Sequence, residues 1–284
     1  MACTTFMRSA GISCTWPRVI RRQGCSINTN NNKTCSYEPR VLMLDLDGVI
    51  SRYPPADVEI KKQVIRFVQK SMLTHLGQTV EFDYAEVINE TLYTQHGHTL
   101  IGLAKELNIN VSTHEFNQAV YTETVLNKIR HTFSKSAHHN AGAITRAWDT
   151  RNLVERSHLS NQNIEAYIFT NSPTVWTEFV LDLLSLKDLF PRENWITSDH
   201  PSIIDDDQRL FKPDHEIYDI ASSIAHTKNI IFVDDTLQNL FPVMHNWKTY
   251  FMDNHQKHSL NMINHRDHQM GDINVIQHLN DITF

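Results

Sequence analysis

The chain has 284 residues, of which 20% are charged and 40% hydrophobic, and its formal net charge is -6 at pH 7. This composition is ordinary for a globular protein, and the length accommodates one large domain with a smaller inserted one. The acidic balance argues against a protein that binds nucleic-acid polymers, and no run approaches the roughly 18 apolar residues of a membrane span.

Residues 1–40 differ in composition from the rest of the chain. They carry one acidic residue, Glu38, against basic residues at positions 8, 18, 21, 22, 33 and 40. Such a segment buries too little apolar surface to fold, so we expect a disordered leader. All four cysteines lie here, so disulfides cannot hold the main domain together, and a cytoplasmic location is the simpler expectation. An arginine-rich, acid-poor start is also typical of transit peptides, which makes an organelle the alternative.

The apolar run that begins at Val41 ends abruptly at Asp45, and Asp47 and Gly48 follow. A short apolar run between polar residues predicts a strand that is buried on both faces of a parallel sheet. Open α/β sheets bind ligands at the carboxyl ends of their strands. Two carboxylates there, beside a glycine that allows close backbone approach, can hold a hard cation such as Mg2+, and one of them can attack phosphorus. The alternative is an acidic turn that caps the following helix.

About 110 residues separate this strand from the next apolar run, far more than an ordinary βα connection contains. Their apolar residues recur at helical spacing, for example over residues 58–72 and 100–107. The pattern predicts a helical cap domain over residues 51–159. The core domain would then consist of residues 41–50 and 160–284.

The second apolar run ends at Phe169 and is followed by Thr170 and Asn171, and further along the chain Lys212 precedes Pro213. Hydroxyl, amide and ammonium groups can hydrogen-bond the oxygens of a phosphoryl group and neutralise their charge. Taken singly, a threonine at a strand end and a lysine before a proline are common surface residues. Their order along the chain favours the functional interpretation.

A third apolar run, residues 230–233, ends in Asp234 and Asp235, with Asn239 one helical turn later. Residues 249–252 predict a further strand. Because strands alternate with helical segments here, the sequence predicts an α/β core built on a doubly wound parallel sheet of at least five strands. The polar, histidine-rich chain after Asp253 predicts a surface tail or a terminal helix.

In chain order, these four segments resemble the four motifs of the haloacid dehalogenase superfamily of phosphohydrolases, over about Val41 to Asp253. The resemblance implies a Rossmann-like core with an inserted helical cap, Mg2+ as the cofactor, and a small phosphorylated metabolite as the substrate. It also implies that the backbone carbonyl of Asp47 binds Mg2+. It leaves the oligomeric state open.

The chemistry expected from these residues divides the work between two aspartates. Asp45 attacks phosphorus and forms an aspartyl-phosphate intermediate, while Asp47 protonates the leaving alcohol and later deprotonates water. A bound Mg2+ neutralises both the attacking carboxylate and the phosphate. Its expected ligands are Asp45, Asp47, Asp234 and Asp235. The expected substrate-binding residues are Thr170, Asn171 and Lys212.

One part of the predicted cap points to a subfamily. Residues 93–103 read Tyr-Thr-Gln-His-Gly-His-Thr-Leu-Ile-Gly-Leu, which resembles the Tyr…Gly-x-Thr-Leu-x-Gly-Leu signature of pyrimidine 5'-nucleotidase-like members. Gly97 and Gly102 would allow a tight bend and close approach over the active site. The chain departs from that subfamily after the first strand, where Asp-Gly-Val-Ile-Ser-Arg-Tyr-Pro stands at residues 47–54 in place of Asp-Asn-Thr-Leu-Tyr-Pro.

Several functions therefore stay open at this point. The leading hypothesis is a phosphomonoesterase, with a pyrimidine nucleotide as one candidate substrate. A sugar-phosphate or phosphoglycolate phosphatase is the alternative enzyme, and a non-catalytic binding protein with this fold is the alternative of another class. A dehalogenase is disfavoured, because such relatives generally lack the second aspartate that this chain has at Asp47.

Overall fold

A six-stranded sheet organises the fold, with the strand order β3-β2-β1-β6-β7-β8 and every neighbouring pair parallel. The computed structural model describes residues 40–135, 137–160, 164–205, 208–254 and 273–284, and these belong to one compact unit, Glu38–Phe284. The strands are β1 Val41–Leu44, β2 Glu165–Phe169, β3 Trp195–Ile196, β6 Ile230–Asp234, β7 Lys248–Met252 and β8 Ile273–Ile276. The short strands β4 Ile204–Asp205 and β5 Gln208–Arg209 form a separate antiparallel pair.

The chain runs outward from β1 to β3 on one side of the sheet and then returns to build β6 to β8 on the other. Such a reversal beside the first strand defines a doubly wound sheet, so the predicted fold class is confirmed. Strand β1 lies at the reversal, between β2 and β6. Open sheets bind their ligands at this point.

Strand β1 forms because its residues are apolar without exception and can be buried on both sides of the sheet. Leu42 and Leu44 pack into one hydrophobic cluster, while Val41 and Met43 pack into another on the opposite face. Leu44 is paired with Ile168 on one side and with Val233 on the other. The next residue, Asp45, is therefore level with the ends of both neighbouring strands.

Six helices lie between β1 and β2 in the described part of the chain, in agreement with the helical pattern of the sequence. They are α1 Pro54–Leu76, α2 Phe82–His96, α3 Thr99–Leu107, α4 Thr113–Val120, α5 Glu123–Lys135 and α6 Ala137–Leu159. Two later helices, α7 Thr174–Leu183 and α8 His215–Ile224, connect strands of the sheet.

The helices between β1 and β2 contribute to two different cores. Residues of α1 to α4 form a hydrophobic cluster of their own, the cap cluster, which runs from Ile65 to Val120. Val125 and Ile129 of α5 and Leu153 of α6 instead belong to the larger cluster on one face of the sheet, the sheet cluster. This division into clusters does not test the predicted limits of the cap domain, residues 51–159, which stay a prediction.

The end of the chain corrects one prediction. The last described residues form β8 at the edge of the sheet and a short helical turn, Leu279–Asp281, where the sequence analysis expected a surface tail or a terminal helix. Ile276, Leu279 and Ile282 are buried in the sheet cluster, and the abundance of polar residues around them concealed this pattern. All of the predicted leader (residues 1–40) except Arg40 lies outside the described residues, as do the histidines between 255 and 272. Among the described helices, none is long and apolar enough to cross a membrane.

Candidate active site

The polar residues predicted from the sequence converge at one edge of the sheet. Asp45, Thr170 and Asp235 directly follow β1, β2 and β6, and parallel strands end at the same edge. All three line one cavity of about 900 Å3, together with Asp47 and Lys212. The structure therefore brings the four sequence segments together.

Lys212 lies at the floor of this cavity and makes three hydrogen bonds. Its Nζ donates to Asp45 Oδ1 at 2.9 Å, to Asp234 Oδ2 at 2.6 Å and to the carbonyl oxygen of Phe169 at 2.9 Å. The Lys212 side chain is 1% exposed. Burial acts to lower the pKa of Lys212, but the charges of Asp234 and Asp45 outweigh it and raise that pKa. The ammonium group is therefore held charged, with its three protons directed to fixed acceptors.

Asp45 is the carboxylate that Lys212 orients. Burial raises the pKa of Asp45 well above its ordinary value, against the opposing effect of the Lys212 charge. The neighbouring carboxylates of Asp234, Asp235 and Asp47 raise it further. Such crowding of negative charge is the condition that a bound cation relieves.

Three carboxylates could hold that cation. Asp45, Asp234 and Asp235 each offer an oxygen, and these oxygens lie within 4.8 Å of one another. Burial, and then the charge of Asp234, raises the pKa of Asp235 to about 7. Carboxylate oxygens are the ligands that Mg2+ prefers, so the donor set fits this ion.

Asp234 and Asp235 have different surroundings although they are adjacent. Asp234 is fully buried, and its oxygens accept from Lys212, from Nδ2 of Asn239 and from the backbone N–H of Thr236. Asp235 is half-buried and lines the cavity. The structure thus gives Asp234 a role in fixing Lys212 and leaves Asp235 as the carboxylate directed to the open space.

Asp47 lies in a different hydrogen-bonding environment from Asp45. Its Oδ2 accepts from the Ser172 hydroxyl at 2.5 Å, and its Oδ1 accepts from the Trp176 indole N–H at 2.9 Å. Burial raises the pKa of Asp47, and the two hydrogen bonds oppose that effect. Its side chain is not part of the three-carboxylate cluster found among the described residues. A metal contact from Asp47 would have to come from its backbone carbonyl, and it stays a prediction.

Thr170 and Asn171 both reach the cavity, but their side chains are already bonded. The Thr170 hydroxyl accepts from the backbone N–H of Ser172 at 3.1 Å, which leaves its own proton to donate. The Asn171 side chain bonds both backbone groups of Lys212, accepting from N–H at 2.8 Å and donating to C=O at 2.9 Å. The Asn171 amide therefore fixes the loop that carries the lysine, and a phosphoryl contact from Asn171 would come from its backbone.

Gly48 has a conformation and a position that a larger residue could not take. Its φ is +84°, in the left-handed region that favours glycine. A Cβ at Gly48 would lie 1.8 Å from Oδ2 of Asp235. The missing side chain thus allows the loop after β1 to pass directly beside a carboxylate of the cluster.

A further part of the cavity lining comes from the loop after β1 and from helices α1 to α4 with their ends. It contains both basic and ring-bearing side chains: Arg52, Lys61, Tyr93, His98, Phe116 and Tyr121. His98 stacks on Phe211, which precedes Lys212, with ring centroids 4.0 Å apart. The cavity is therefore lined by carboxylates and Lys212 at the sheet edge, and elsewhere by ring-bearing side chains and by charged residues of both signs, since Asp57 and Glu90 also line it.

The signature of residues 93–103 is explained mainly by packing. Gly97 ends α2 with φ +71°, and a Cβ there would lie 3.6 Å from the Lys212 carbonyl, so the expected close approach is present at this glycine. Gly102 instead packs inside the cap, where a Cβ would meet Leu92 at 2.5 Å, and the expectation that it bends over the active site is wrong. Thr99 donates to Asn89 at 2.8 Å in the buried contact between α2 and α3.

Four residues at or beside this site were not predicted from the sequence. Ser172 directly follows Thr170 and Asn171, and Asn254 lies two residues after the predicted strand 249–252, so extending the rule used for Asp45 a little further along the chain could have found both. Trp176 and Arg146 carry no local signal, because they reach the site from helices that the fold brings near. Arg146 is buried and donates to Oδ1 of Asn254 at 2.9 Å.

Comparison with known proteins adds little to this geometry. No protein-family model matches the chain, and no curated protein matches it. It is similar to three solved structures, among others. A beta-phosphoglucomutase from Clostridium difficile is 14% identical, with a TM-score of 0.48, and the match covers 87% of this chain and 94% of that chain. An L-2-haloacid dehalogenase from Xanthobacter autotrophicus is 12% identical, with a TM-score of 0.41, and the match covers 80% of this chain and 83% of that chain.

The third is a HAD-hydrolase from Bacillus subtilis that is described as bound to magnesium, at 14% identity and a TM-score of 0.45, covering 86% of this chain and 96% of that chain. The descriptions of the second and third structures name a haloacid dehalogenase and a HAD-hydrolase. These identities and TM-scores are too low to argue an activity or a substrate for the chain, which depend on the side chains described above.

Proposed function

We propose that the chain is a Mg2+-dependent phosphomonoesterase that acts on a small phosphorylated metabolite through an aspartyl-phosphate intermediate. One observation carries the proposal. Asp45 shares Lys212 with Asp234 and adjoins Asp235, whereas Asp47 is held apart by Ser172 and Trp176. Two carboxylates two residues apart thus have environments suited to two different roles.

Asp45 is the nucleophile in this proposal. Lys212 holds Oδ1 at 2.9 Å, so the other oxygen is free to face phosphorus. Attack forms an oxygen–phosphorus bond on Asp45 and breaks the bond between phosphorus and the leaving oxygen. The charge of Lys212 and the Thr170 hydroxyl lie where they can stabilise the phosphoryl oxygens during the transfer.

Asp47 supplies and then recovers a proton. It gives its proton to the leaving oxygen in the first step. In the second step it takes a proton from the water that attacks phosphorus, which releases inorganic phosphate and restores the Asp45 carboxylate. The raised pKa of Asp47 favours the protonated form that the first step needs.

The residues that would hold Mg2+ are Asp45 and Asp235, with the backbone carbonyl of Asp47 as the third protein ligand. When bound, the ion neutralises the repulsion between carboxylate and phosphate and aligns them for in-line displacement. We assign Asp234 to the support of Lys212, since it is fully buried and accepts a hydrogen bond from the ammonium group directly.

The size and lining of the cavity bear on the substrate. About 900 Å3 exceeds what a phosphoglycolate molecule fills, and the ring-bearing side chains that line the cavity together with the carboxylates suit a leaving group with a planar ring. This supports a nucleoside monophosphate, and the signature at residues 93–103 adds a pyrimidine as the finer proposal. A sugar phosphate is the alternative substrate.

A phosphate-release screen tests this proposal. The full chain with Mg2+ would be offered pyrimidine and purine nucleoside monophosphates, sugar phosphates, phosphoglycolate and p-nitrophenyl phosphate. We expect release that stops in excess chelator and in Asp45→Asn, with a higher kcat/KM for uridine or cytidine monophosphate than for purine nucleotides. Equal or better turnover of purine nucleotides or sugar phosphates would remove the pyrimidine assignment alone. No release from any ester would favour a binding protein. Halide release in a parallel assay with a 2-haloacid would favour a dehalogenase.

A further inference from the structure

Three loops at the carboxyl edge of the sheet meet at the side chain of Asn254, which follows β7. Its Nδ2 donates to the carbonyl oxygen of Gly48 at 2.9 Å and to Oδ2 of Asp235 at 3.0 Å. Gly48 belongs to the loop after β1, and Asp235 follows β6. One amide group thus joins the loop of the nucleophile to the carboxylate that faces the cavity.

The direction of this amide is fixed from behind by Arg146 of α6. Arg146 Nη2 donates to Asn254 Oδ1 at 2.9 Å, and its Nη1 lies 2.9 Å from Sδ of Met252. A guanidinium group has donors only, so the oxygen of Asn254 must face Arg146 and its NH2 group must face Asp235. Arg146 is 9% exposed, so its position is set by packing.

A hydrogen bond to one oxygen of a carboxylate restricts the rotation of the whole group. Because Asn254 holds Oδ2 of Asp235, it sets the orientation of a carboxylate that lines the same cavity as Asp45. Gly48 adds a steric limit, because its loop passes directly beside the same carboxylate. Groups that orient a metal ligand in this way commonly change metal affinity by about 10- to 100-fold when they are removed.

We propose that Asn254, oriented by Arg146, is a positioning residue for Asp235 and sets the affinity of the site for a divalent cation. The inference rests on the proposed function, since it takes Asp235 as a metal ligand. It differs from a purely structural role, in which the three hydrogen bonds would only stabilise the loops after β1, β6 and β7. The two roles are separated by measuring metal binding and thermal stability on the same variants.

The experiment measures Mn2+ binding to the full chain without substrate, by electron paramagnetic resonance of the free ion or by calorimetry. We expect Asn254→Ala to raise the Kd for Mn2+ by about 10- to 100-fold, and Asp235→Asn to raise it at least as much. Arg146→Met should raise the Kd less than Asn254→Ala does. It should add little in the double variant, because both changes act through one amide.

Asn274→Ala is the matched control. Asn274 also donates its Nδ2 to a backbone carbonyl, that of Thr249 at 3.1 Å, but in β8 and outside the cavity. The control should keep the Kd of the wild type. Asn254→Ser offers a smaller change in case the alanine variant does not fold, with the same expected direction.

The outcomes separate this inference from the proposed function. If the wild type binds Mn2+ and Asn254→Ala binds it equally well at a lower melting temperature, the positioning role is wrong and the proposed function stands. If the wild type does not bind Mn2+, both are wrong. A Kd that rises equally in Asn274→Ala would show a general loss of structure, which also contradicts the inference.

Discussion

The Trp176 indole donates its N–H to Oδ1 of Asp47 at 2.9 Å, which places the proposed acid and base under the control of helix α7. The Trp176 ring packs on Phe179 of the same helix and on Tyr121, with centroids 5.5 and 5.8 Å away. Ser172 holds the second oxygen of Asp47. The position of this carboxylate therefore depends on residues more than 120 positions away in the chain.

Trp176→Phe keeps an aromatic ring but removes the N–H that holds Asp47. We expect kcat/KM for an alkyl phosphate, which reports the formation of the phosphorylated enzyme, to fall by about 10-fold, the equivalent of one hydrogen bond to a charged group. Turnover of p-nitrophenyl phosphate should fall much less in its first step, because the phenolate needs no proton to leave. Steady-state kinetics with both esters would measure the difference.

Trp195→Phe is the control for that comparison. Trp195 is buried and donates its indole N–H to the carbonyl of Phe190 at 2.9 Å, in a contact remote from the cavity. It should lose stability without changing the ratio between the two esters. If Trp176→Phe lowers kcat/KM equally for both esters, Trp176 does not act through leaving-group protonation.

The two aspartates after β1 should fail at different steps. Asp45→Asn lacks the attacking charge, so we expect no turnover and no phosphorylated enzyme. Asp47→Asn with p-nitrophenyl phosphate should still phosphorylate Asp45 but hydrolyse it about 10^2- to 10^4-fold more slowly, the usual contribution of acid–base catalysis. Rapid-quench mass spectrometry with hydroxylamine treatment would show the labelled residue. A phosphoryl group on any other residue would contradict the mechanism.

Lys212→Met should destabilise the protein as well as inactivate it. The variant leaves Asp45 and Asp234 without their shared cation, at side-chain exposures of 10% and 0%. Removing one partner of a buried ion pair typically costs about 3–5 kcal/mol of unfolding free energy. Denaturant titration in chelator would measure it.

The matched surface pair is Lys187 with Glu178, whose side chains are 52% and 51% exposed. Lys187→Met should change the unfolding free energy by only about 0–1 kcal/mol, because solvent screens exposed pairs. A loss in Lys212→Met no larger than that in Lys187→Met would show that Asp45 and Asp234 tolerate the absence of the lysine.

Metal removal should make stability depend on pH in a defined direction. Burial and the charge of Asp234 raise the pKa of Asp235 from 3.8 to about 7 in the folded protein. A raised folded pKa contributes stability that is complete below the unfolded value and is lost as the pH rises to the folded value. In chelator, the ionisation of Asp235 should therefore lower the melting temperature between about pH 4 and pH 7.

Mg2+ should reverse that decline, since it competes with the proton for the Asp235 carboxylate. Its stabilising effect should be larger at pH 8 than at pH 5, as measured by thermal unfolding with Mg2+ and with chelator. Asp235→Asn should flatten both the chelator profile and the response to Mg2+. An Mg2+ effect that is independent of pH would contradict the raised pKa.

The sequence predicted what depends on strand ends and failed where the fold brings distant residues together. Asp45, Thr170 and Asp234 could be located because apolar runs stop at them. The sequence could not show which of Asp234 and Asp235 lines the cavity. Two neighbouring residues at a strand end face opposite sides, and either one could be directed to the site. Asn254 bonds Gly48 across 206 positions of sequence, and no local pattern records such a contact.

The separate packing of the cap cluster and the sheet cluster bears on how such a chain diversifies. Ile60 and Tyr121 are partly buried and pack against both clusters, so they lie at the boundary between the two hydrophobic cores. Replacement of the helices between these two residues would leave Asp45, Lys212 and Asp235 in their positions at the edge of the sheet. Selection could therefore change the molecule that is recognised by altering one hydrophobic core, while the other core preserves the reaction.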